Sequence, residues 1–217
     1  MKLFIKKALP GPFYQILKRV YYLFVKMKYL ILGRVPVEAE SSKAKPRRLR
    51  EGFFDKYCQG RGLDIGFGGD IVHSSATGWD FEHGDAQILT SIPNSSFNYV
   101  YSSHTLEHMI NPSLALHNWW RAVKPGGYLI LYVPERNLYE KKTQLPSKWN
   151  LDHKHFFLLE NDEPPVTLGV IPLLARAING YEIIYAKVCD EGYVSGGPDC
   201  HSNGEYSIEV VLRKNSL

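Results

Sequence analysis

The stretch GLDIGFGGD, residues 62–70, decides how this chain folds. A short apolar run ends at Asp64 and Ile65, and glycines follow at 66, 68 and 69. Glycines this dense let a main chain turn sharply and approach a ligand closely. A dinucleotide site would need G-x-G-x-x-G, because pyrophosphate sits on backbone N–H groups at a helix N-terminus. Counted from Gly66, the third glycine would fall at position 71, and Ile71 stands there. The acids disagree with phosphate as well. Asp64 and Asp70 would repel it by roughly 1 kcal/mol at about 4 Å in water, and by more where screening is poor. A nicotinamide-dependent dehydrogenase is disfavoured on both counts, and a cationic ligand is favoured.

The chain has 217 residues, enough for one ordinary domain and an appendage, and its 44% hydrophobic content suffices for a core. The net charge of +4 is unevenly spread. Residues 1–50 hold thirteen Lys and Arg against two acids, Glu38 and Glu40, whereas residues 51–217 are acidic overall. That division argues against a nucleic-acid partner, since the part suited to chemistry is the acidic one. Three scattered cysteines, Cys58, Cys189 and Cys200, form neither a disulfide framework nor a four-ligand zinc site, so a cytoplasmic setting is expected.

Residues 1–50 read as a basic amphipathic segment and linker, and residues 51–217 as the domain. Phe13, Leu17, Val20, Phe24, Met27 and Ile31 share one helical face, with Gln15, Lys18, Arg19, Tyr22 and Lys26 opposite. Charges interrupt every apolar run, so residues 1–33 do not read as a membrane span or a signal peptide. They suit a membrane surface, a partner protein or the chain's own domain. Residues 34–50, RVPVEAESSKAKPRRLR, read as a polar linker.

Strands are expected after RRLREGFFDKYC (47–58), read as a short amphipathic helix: one ending at Ile65, then ATGWDF, FNYVYSS (97–103) and YLILYVP (128–134). Asn111 and Pro112 suit the start of a helix carrying Leu116, Trp119, Trp120 and Val123. KPGG (124–127) has the residues of a type II turn. Residues 135–163 read as a long loop holding WNLDHKHFF, followed by a helix over about 165–179 and strands at 181–188 and 206–214. The expected architecture is an α/β, Rossmann-like, mainly parallel sheet with helices on both faces and an antiparallel C-terminal strand.

A cofactor with a sulfonium, an ammonium and no phosphate fits the glycine turn, which points to S-adenosylmethionine. GLDIGFGGD, GWDFEHGDAQIL, NSSFNYVYSSHTLEH and WWRAVKPGGYLILYVP, taken in that order, resemble the successive motifs of class I S-adenosylmethionine-dependent methyltransferases, the type 11 branch above all. The resemblance covers about residues 50–135. It implies that Asp64, Gly66 and Gly68 surround the methionine end of the cofactor and that Asp80 accepts from the ribose hydroxyls. Asp85 and the Ala86 backbone would read the adenine, and Ser103 and His104 would lie near the sulfonium.

One departure stands out. Fifteen residues separate Asp64 from Asp80 and four separate Asp80 from Asp85, whereas a crossover with its helix needs about ten to twelve or more. The first crossovers are therefore expected to be shortened, with an irregular first helix and no complete second helix or third strand.

HTLEH (104–108) also matches H-x-x-E-H, a zinc-peptidase pattern that needs both histidines on one helix. A strand runs directly into it here, so no metal is expected, and Glu107 and His108 are read as structural. In DHKHFF (152–157), His153 and His155 join His104 as candidate bases for an acceptor that must lose a proton. The expected activity is methyl transfer to O or N of a small-molecule, lipid or glycan acceptor. The rival reading is a non-catalytic binding module on a trimmed methyltransferase fold, tethered by its N-terminal helix.

Overall fold

The structure, a computed structural model, describes residues 39–216. The amphipathic face read at residues 13–31, and its proposed membrane or partner role, lie outside the described residues. Six strands form one sheet in the order β2-β1-β3-β4-β8-β7. The first four are β1 (Gly62–Ile65), β2 (Ala76–Trp79), β3 (Phe97–Ser103) and β4 (Val123–Pro134), mutually parallel. β8 (Ser207–Lys214) runs antiparallel between β4 and β7 (Tyr181–Cys189). The mainly parallel sheet and its reversed last strand agree with the sequence reading.

Alternation along the central strands explains the two layers. Val100, Leu129, Leu131, Val133, Ile208, Val210 and Leu212 face one side, where helices α3 (Pro112–Ala122) and α4 (Val170–Ala177) cover an aliphatic core with Trp119. The Asn111 side chain accepts from Leu114 N–H at 3.0 Å and Pro112 opens α3, the start signalled by the sequence. Tyr99, Tyr101, Tyr132, Ile130 and Val211 face the other side, a more polar layer.

That second layer is closed by helices α1 (Glu40–Arg50) and α2 (Phe53–Tyr57). The linker reading of residues 40–50 is corrected here: they form a helix, and the compact unit begins at Glu40, not at residue 51. Arg47 binds Glu205 and Glu209, and Arg48 donates to Glu209 at 2.7 Å and to Tyr101 Oη at 2.9 Å. Arg48 is wholly buried among the rings of Phe53, Tyr101 and Tyr132. Two acceptors, the Glu209 carboxylate and Tyr101 Oη, and three ring faces offset the desolvation of that guanidinium.

KPGG does not separate α3 from a strand. It lies inside β4 as a bulge, since Phe97 pairs with Val123 but Tyr99 pairs with Tyr128. Gly126 still takes the positive φ, 74°, that a type II turn demands. Residues 66–75 contain no helix, and residues 80–96 contain only the 3₁₀ turn Phe81–His83. Among the described residues β2 is the edge, so the shortened crossovers inferred from spacing are present. The long loop after β4 contains a small parallel pair, β5 (Phe156–Leu158) and β6 (Thr167–Gly169).

Candidate functional site

At the carboxyl end of β1 the chain turns through Gly66, Gly68 and Gly69, with φ of 76°, 58° and 98°. All three lie in the left-handed region that side chains disfavour. Gly66 is also crowded: a Cβ there would meet Thr105 Oγ1 at 2.0 Å. Thr105 donates to the carbonyls of Ile65 and Ser103, joining the ends of β1 and β3. Gly69 opens on empty space, so its bare main chain is accessible.

The two acids of this turn are engaged by the protein itself. Asp64 is buried, and its Oδ2 accepts from Val72 N–H at 2.7 Å. Burial pushes its carboxyl up to about 7, with Asp70 adding in the same direction. Asp70 accepts from Ser42 N–H at 2.9 Å and Ser42 Oγ at 2.7 Å, which satisfies the first turn of α1. The sequence treated both as charges directed at a ligand. Asp70 is held by α1, whereas Asp64 keeps its buried Oδ1 without a hydrogen-bond partner beside the turn.

Asp80 stands half-buried directly after β2, where its Oδ1 accepts from Phe81 N–H and starts the 3₁₀ turn. Gly66 N–H donates to the neighbouring Trp79 carbonyl at 2.7 Å, so the glycine turn and Asp80 lie side by side. Asp85 is exposed and accepts from Gln87 N–H. The Ala86 carbonyl is taken by Trp119 Nε1 at 2.8 Å, which anchors this segment on α3. At the end of β3, Ser103 Oγ is buried and without a hydrogen-bond partner.

His104 follows at a positive φ of 47°. Its Nε2 is 2.8 Å from Ser207 Oγ, and its ring lies among Tyr132, Tyr139 and Tyr206. Burial pushes its pKa down to about 4, so the ring is neutral at ordinary pH. His153 is buried 44 residues along the chain from Met109, stacked on Tyr139, with Nδ1 at 2.6 Å from Glu140 Oε1. His104 and His153 converge on Glu107, each with a ring nitrogen 3.8 Å from Oε1. His155 stands apart, half-buried with Nε2 directed at the Ile110 carbonyl.

Sequence reasoning missed Glu40, Tyr139, Glu140 and Tyr206, which complete this aromatic and acidic cluster. Tyr206 donates to Glu40 of α1 and accepts from Lys43. No local pattern marks these four as a set, because they come from three separate parts of the chain. Glu107 was legible as part of HTLEH, but its environment was not. Burial holds its carboxyl well above the usual carboxylate range, with Glu40 and Glu140 adding to the effect. The peptidase reading of HTLEH finds no support in geometry: only Leu106–His108 is helical, as a 3₁₀ turn, and His104 lies outside it.

Residues 66–131 match a family model described as a methyltransferase domain. They run from the glycine turn into β4. The chain has a class I methyltransferase fold. Among solved structures, a methyltransferase of this kind from Archaeoglobus fulgidus is 15% identical, with a TM-score of 0.53, over 89% of this chain and 100% of that one. A Thermotoga maritima S-adenosylmethionine-dependent methyltransferase is 18% identical, with a TM-score of 0.50, over 93% of this chain and 100% of that one. The [4+2]-cyclase SpnF has the same fold, at 13% identity and a TM-score of 0.51 over 93% of this chain and 96% of that one. Identities this low speak for the fold alone, and SpnF illustrates that the fold carries more than one reaction. No curated protein sequence matches the chain.

S-adenosylmethionine is the cofactor that the methyltransferase family and fold imply. The residues fit it in three respects. Gly69 leaves the turn open to a ligand, Asp80 follows the strand next to that turn, and Ser103 Oγ is an orphaned polar atom at the end of β3.

Proposed function

We propose that this chain transfers a methyl group from S-adenosylmethionine to an oxygen or nitrogen of a polar small molecule, lipid or glycan. The observation that carries the reading is the neighbourhood of the bare glycine turn and the aromatic-histidine cluster beyond β3 and β4. In this reading Gly66 and Gly68 lie against the methionine end, and Asp64 acts by holding their turn in shape. Asp80 accepts from the ribose hydroxyls, Asp85 and the Ala86 amide meet the adenine, and Ser103 and His104 face the sulfonium.

The bound cofactor supplies an electrophilic methyl carbon, so the chain's own task is alignment, exclusion of water and removal of a proton. His104 is neutral and can accept that proton, though a pKa near 4 makes it a weak base. His153, oriented through Nδ1 by Glu140, is the alternative. Tyr139 and Tyr206 pack against each other and against the His104 ring.

Calorimetric titration of the full chain with S-adenosylmethionine and S-adenosylhomocysteine tests the cofactor half of the reading. Absence of binding to either would refute it. A screen of cell extracts with labelled methyl donor tests the acceptor half. The rival reading, a non-catalytic module, draws support from the missing helix after β1, and binding without transfer to any extract would favour it. Residues 1–33 would bring the domain to a membrane surface, where lipid or glycan acceptors reside. Equal sedimentation with liposomes, with and without those residues, would remove that part of the proposal.

A further inference from the structure

Glu107 occupies an unusual position. It lies in the 3₁₀ turn after β3, is completely buried, and neither carboxylate oxygen has a hydrogen-bond partner. A buried carboxylate is costly unless a cation or a proton meets it. Its Oε1 faces Nδ1 of His104, and also Nε2 of His108 and Nε2 of His153, each at 3.8 Å. None of these distances is a hydrogen bond.

The protons of the His108 and His153 rings are placed elsewhere. His108 Nδ1 is 3.1 Å from Asp152 Oδ2, and His153 Nδ1 is 2.6 Å from Glu140 Oε1. With the carboxylates accepting, each proton sits on Nδ1 and each Nε2 keeps a lone pair. Two imidazole lone pairs and a carboxylate oxygen are thus directed at one point. A carboxylate behind the imidazole is the arrangement that orients metal-binding histidines and raises their basicity, and both histidines have one.

The three ligand atoms lie within 4.8 Å of one another. In a tetrahedral shell with bonds near 2.1 Å they would stand about 3.4 Å apart, so metal binding would draw Glu107 and His153 closer than their 3.8 Å and rotate the partly exposed His108 ring. The frame is already tied together. The Glu107 carbonyl accepts from Lys154 N–H at 2.8 Å and His155 N–H at 3.3 Å, which joins the 152–155 segment to the turn.

We propose, against the metal-free expectation from sequence, that Glu107 Oε1, His108 Nε2 and His153 Nε2 bind one divalent first-row transition metal ion of the Zn2+ or Fe2+ class. Two nitrogens and one carboxylate suit such ions, whereas Mg2+ and Ca2+ prefer all-oxygen shells. Three protein ligands leave coordination positions open for water or another oxygen ligand. The ligand set differs from the H-x-x-E-H pair of a peptidase: His104, with Nε2 bonded to Ser207 and Nδ1 3.8 Å from Glu107 Oε1, is not one of the three grouped residues, and His153 comes from a distant loop. The inference does not depend on methyl transfer, and an ion on His153 Nε2 leaves His104 as the base in that reading.

The test is metal uptake by the full chain. Protein stripped with a chelator is dialysed against Zn2+ or Co2+, and the bound metal is counted by elemental mass spectrometry and titrated by calorimetry. A single equivalent is expected, with visible absorption from the Co2+ form and a raised thermal midpoint. Glu107→Gln and His108→Ala should lose that equivalent. Asp152→Asn, at an exposed position, removes the carboxylate behind His108 and should weaken uptake by about 10- to 100-fold with an unchanged circular dichroism spectrum. If Glu107→Gln fails to fold, the other two variants decide. The inference is overturned if stripped wild-type protein takes up no ion, which would give Glu107 a proton instead. Uptake equal to wild type in His108→Ala and Asp152→Asn overturns it as well. Since no readout involves S-adenosylmethionine, its outcome and that of the methyl-transfer reading are separable.

Discussion

Replacing Glu209 by leucine should damage the fold more than replacing Arg48 by methionine, although the two form one ion pair. Both side chains are fully buried. Removal of Glu209 leaves Arg48 with Tyr101 Oη and three aromatic rings but no anion. An uncompensated buried charge of that kind costs about 3–5 kcal/mol. Removal of Arg48 leaves Glu209 paired with Arg47 at 2.9 Å and accepting from Tyr185 Oη at 2.9 Å. The loss is then closer to that of a buried hydrogen-bond partner, about 1–3 kcal/mol. Urea unfolding with a shared slope measures both. For a domain of this size Glu209→Leu corresponds to a fall of roughly 6–20 °C in the melting midpoint. The arginines hold the Glu209 carboxyl down to about 2, from an ordinary value of 4.5. Its contribution is therefore complete above pH 4.5 and lost as pH falls towards 2, and wild type should show a steeper acid loss than Glu209→Leu. Equal costs for the two variants, a cost under about 1 kcal/mol for Glu209→Leu, or parallel acid profiles would refute this account of the α1 layer.

Other perturbations separate the parts of the site. Asp64 is held up near 7 against an ordinary 3.8, so the folded state binds its proton more tightly than the unfolded chain does. Stability should fall as pH rises from about 4 to about 7, and Asp64→Asn should flatten that slope in denaturation curves. Gly66→Ala drives a Cβ into Thr105, whereas Gly69→Ala meets nothing and has only its positive φ to overcome. Unfolding should show a loss of about 1 kcal/mol for Gly69→Ala and a distinctly larger one for Gly66→Ala. Asp80→Ala should weaken S-adenosylmethionine binding by about 10- to 100-fold in calorimetry, the worth of charge-assisted hydrogen bonds.

Strand β4 was readable because a continuous apolar run such as YLILYVP survives only where both faces are covered. Helix α3 carried its own start signal in Asn111 and Pro112. Even the missing crossover was readable, since the spacing between Asp64 and Asp80 leaves too little chain for one. Most of helix α1 was hidden because its sequence, ESSKAKPRRLR, is polar and contains Pro46, and its buried arginines find their carboxylates at Glu205, just before β8, and at Glu209 on it. The convergence of Glu107, His108 and His153 was hidden for the same reason. A hydrophobic period reports what one element does with its own neighbours, whereas an ionic cluster is assembled from distant ones.

The bond from Asp70 to Ser42 has a practical corollary. A protein trimmed to begin at residue 51 would keep every recognisable motif and yet lose the pieces that make them a stable body. Glu205 and Glu209 would stay behind as buried anions without counter-charge, and the glycine turn would lose its fastening. Any minimal version of this molecule has to begin upstream of Glu40, however little the first fifty residues look like an enzyme.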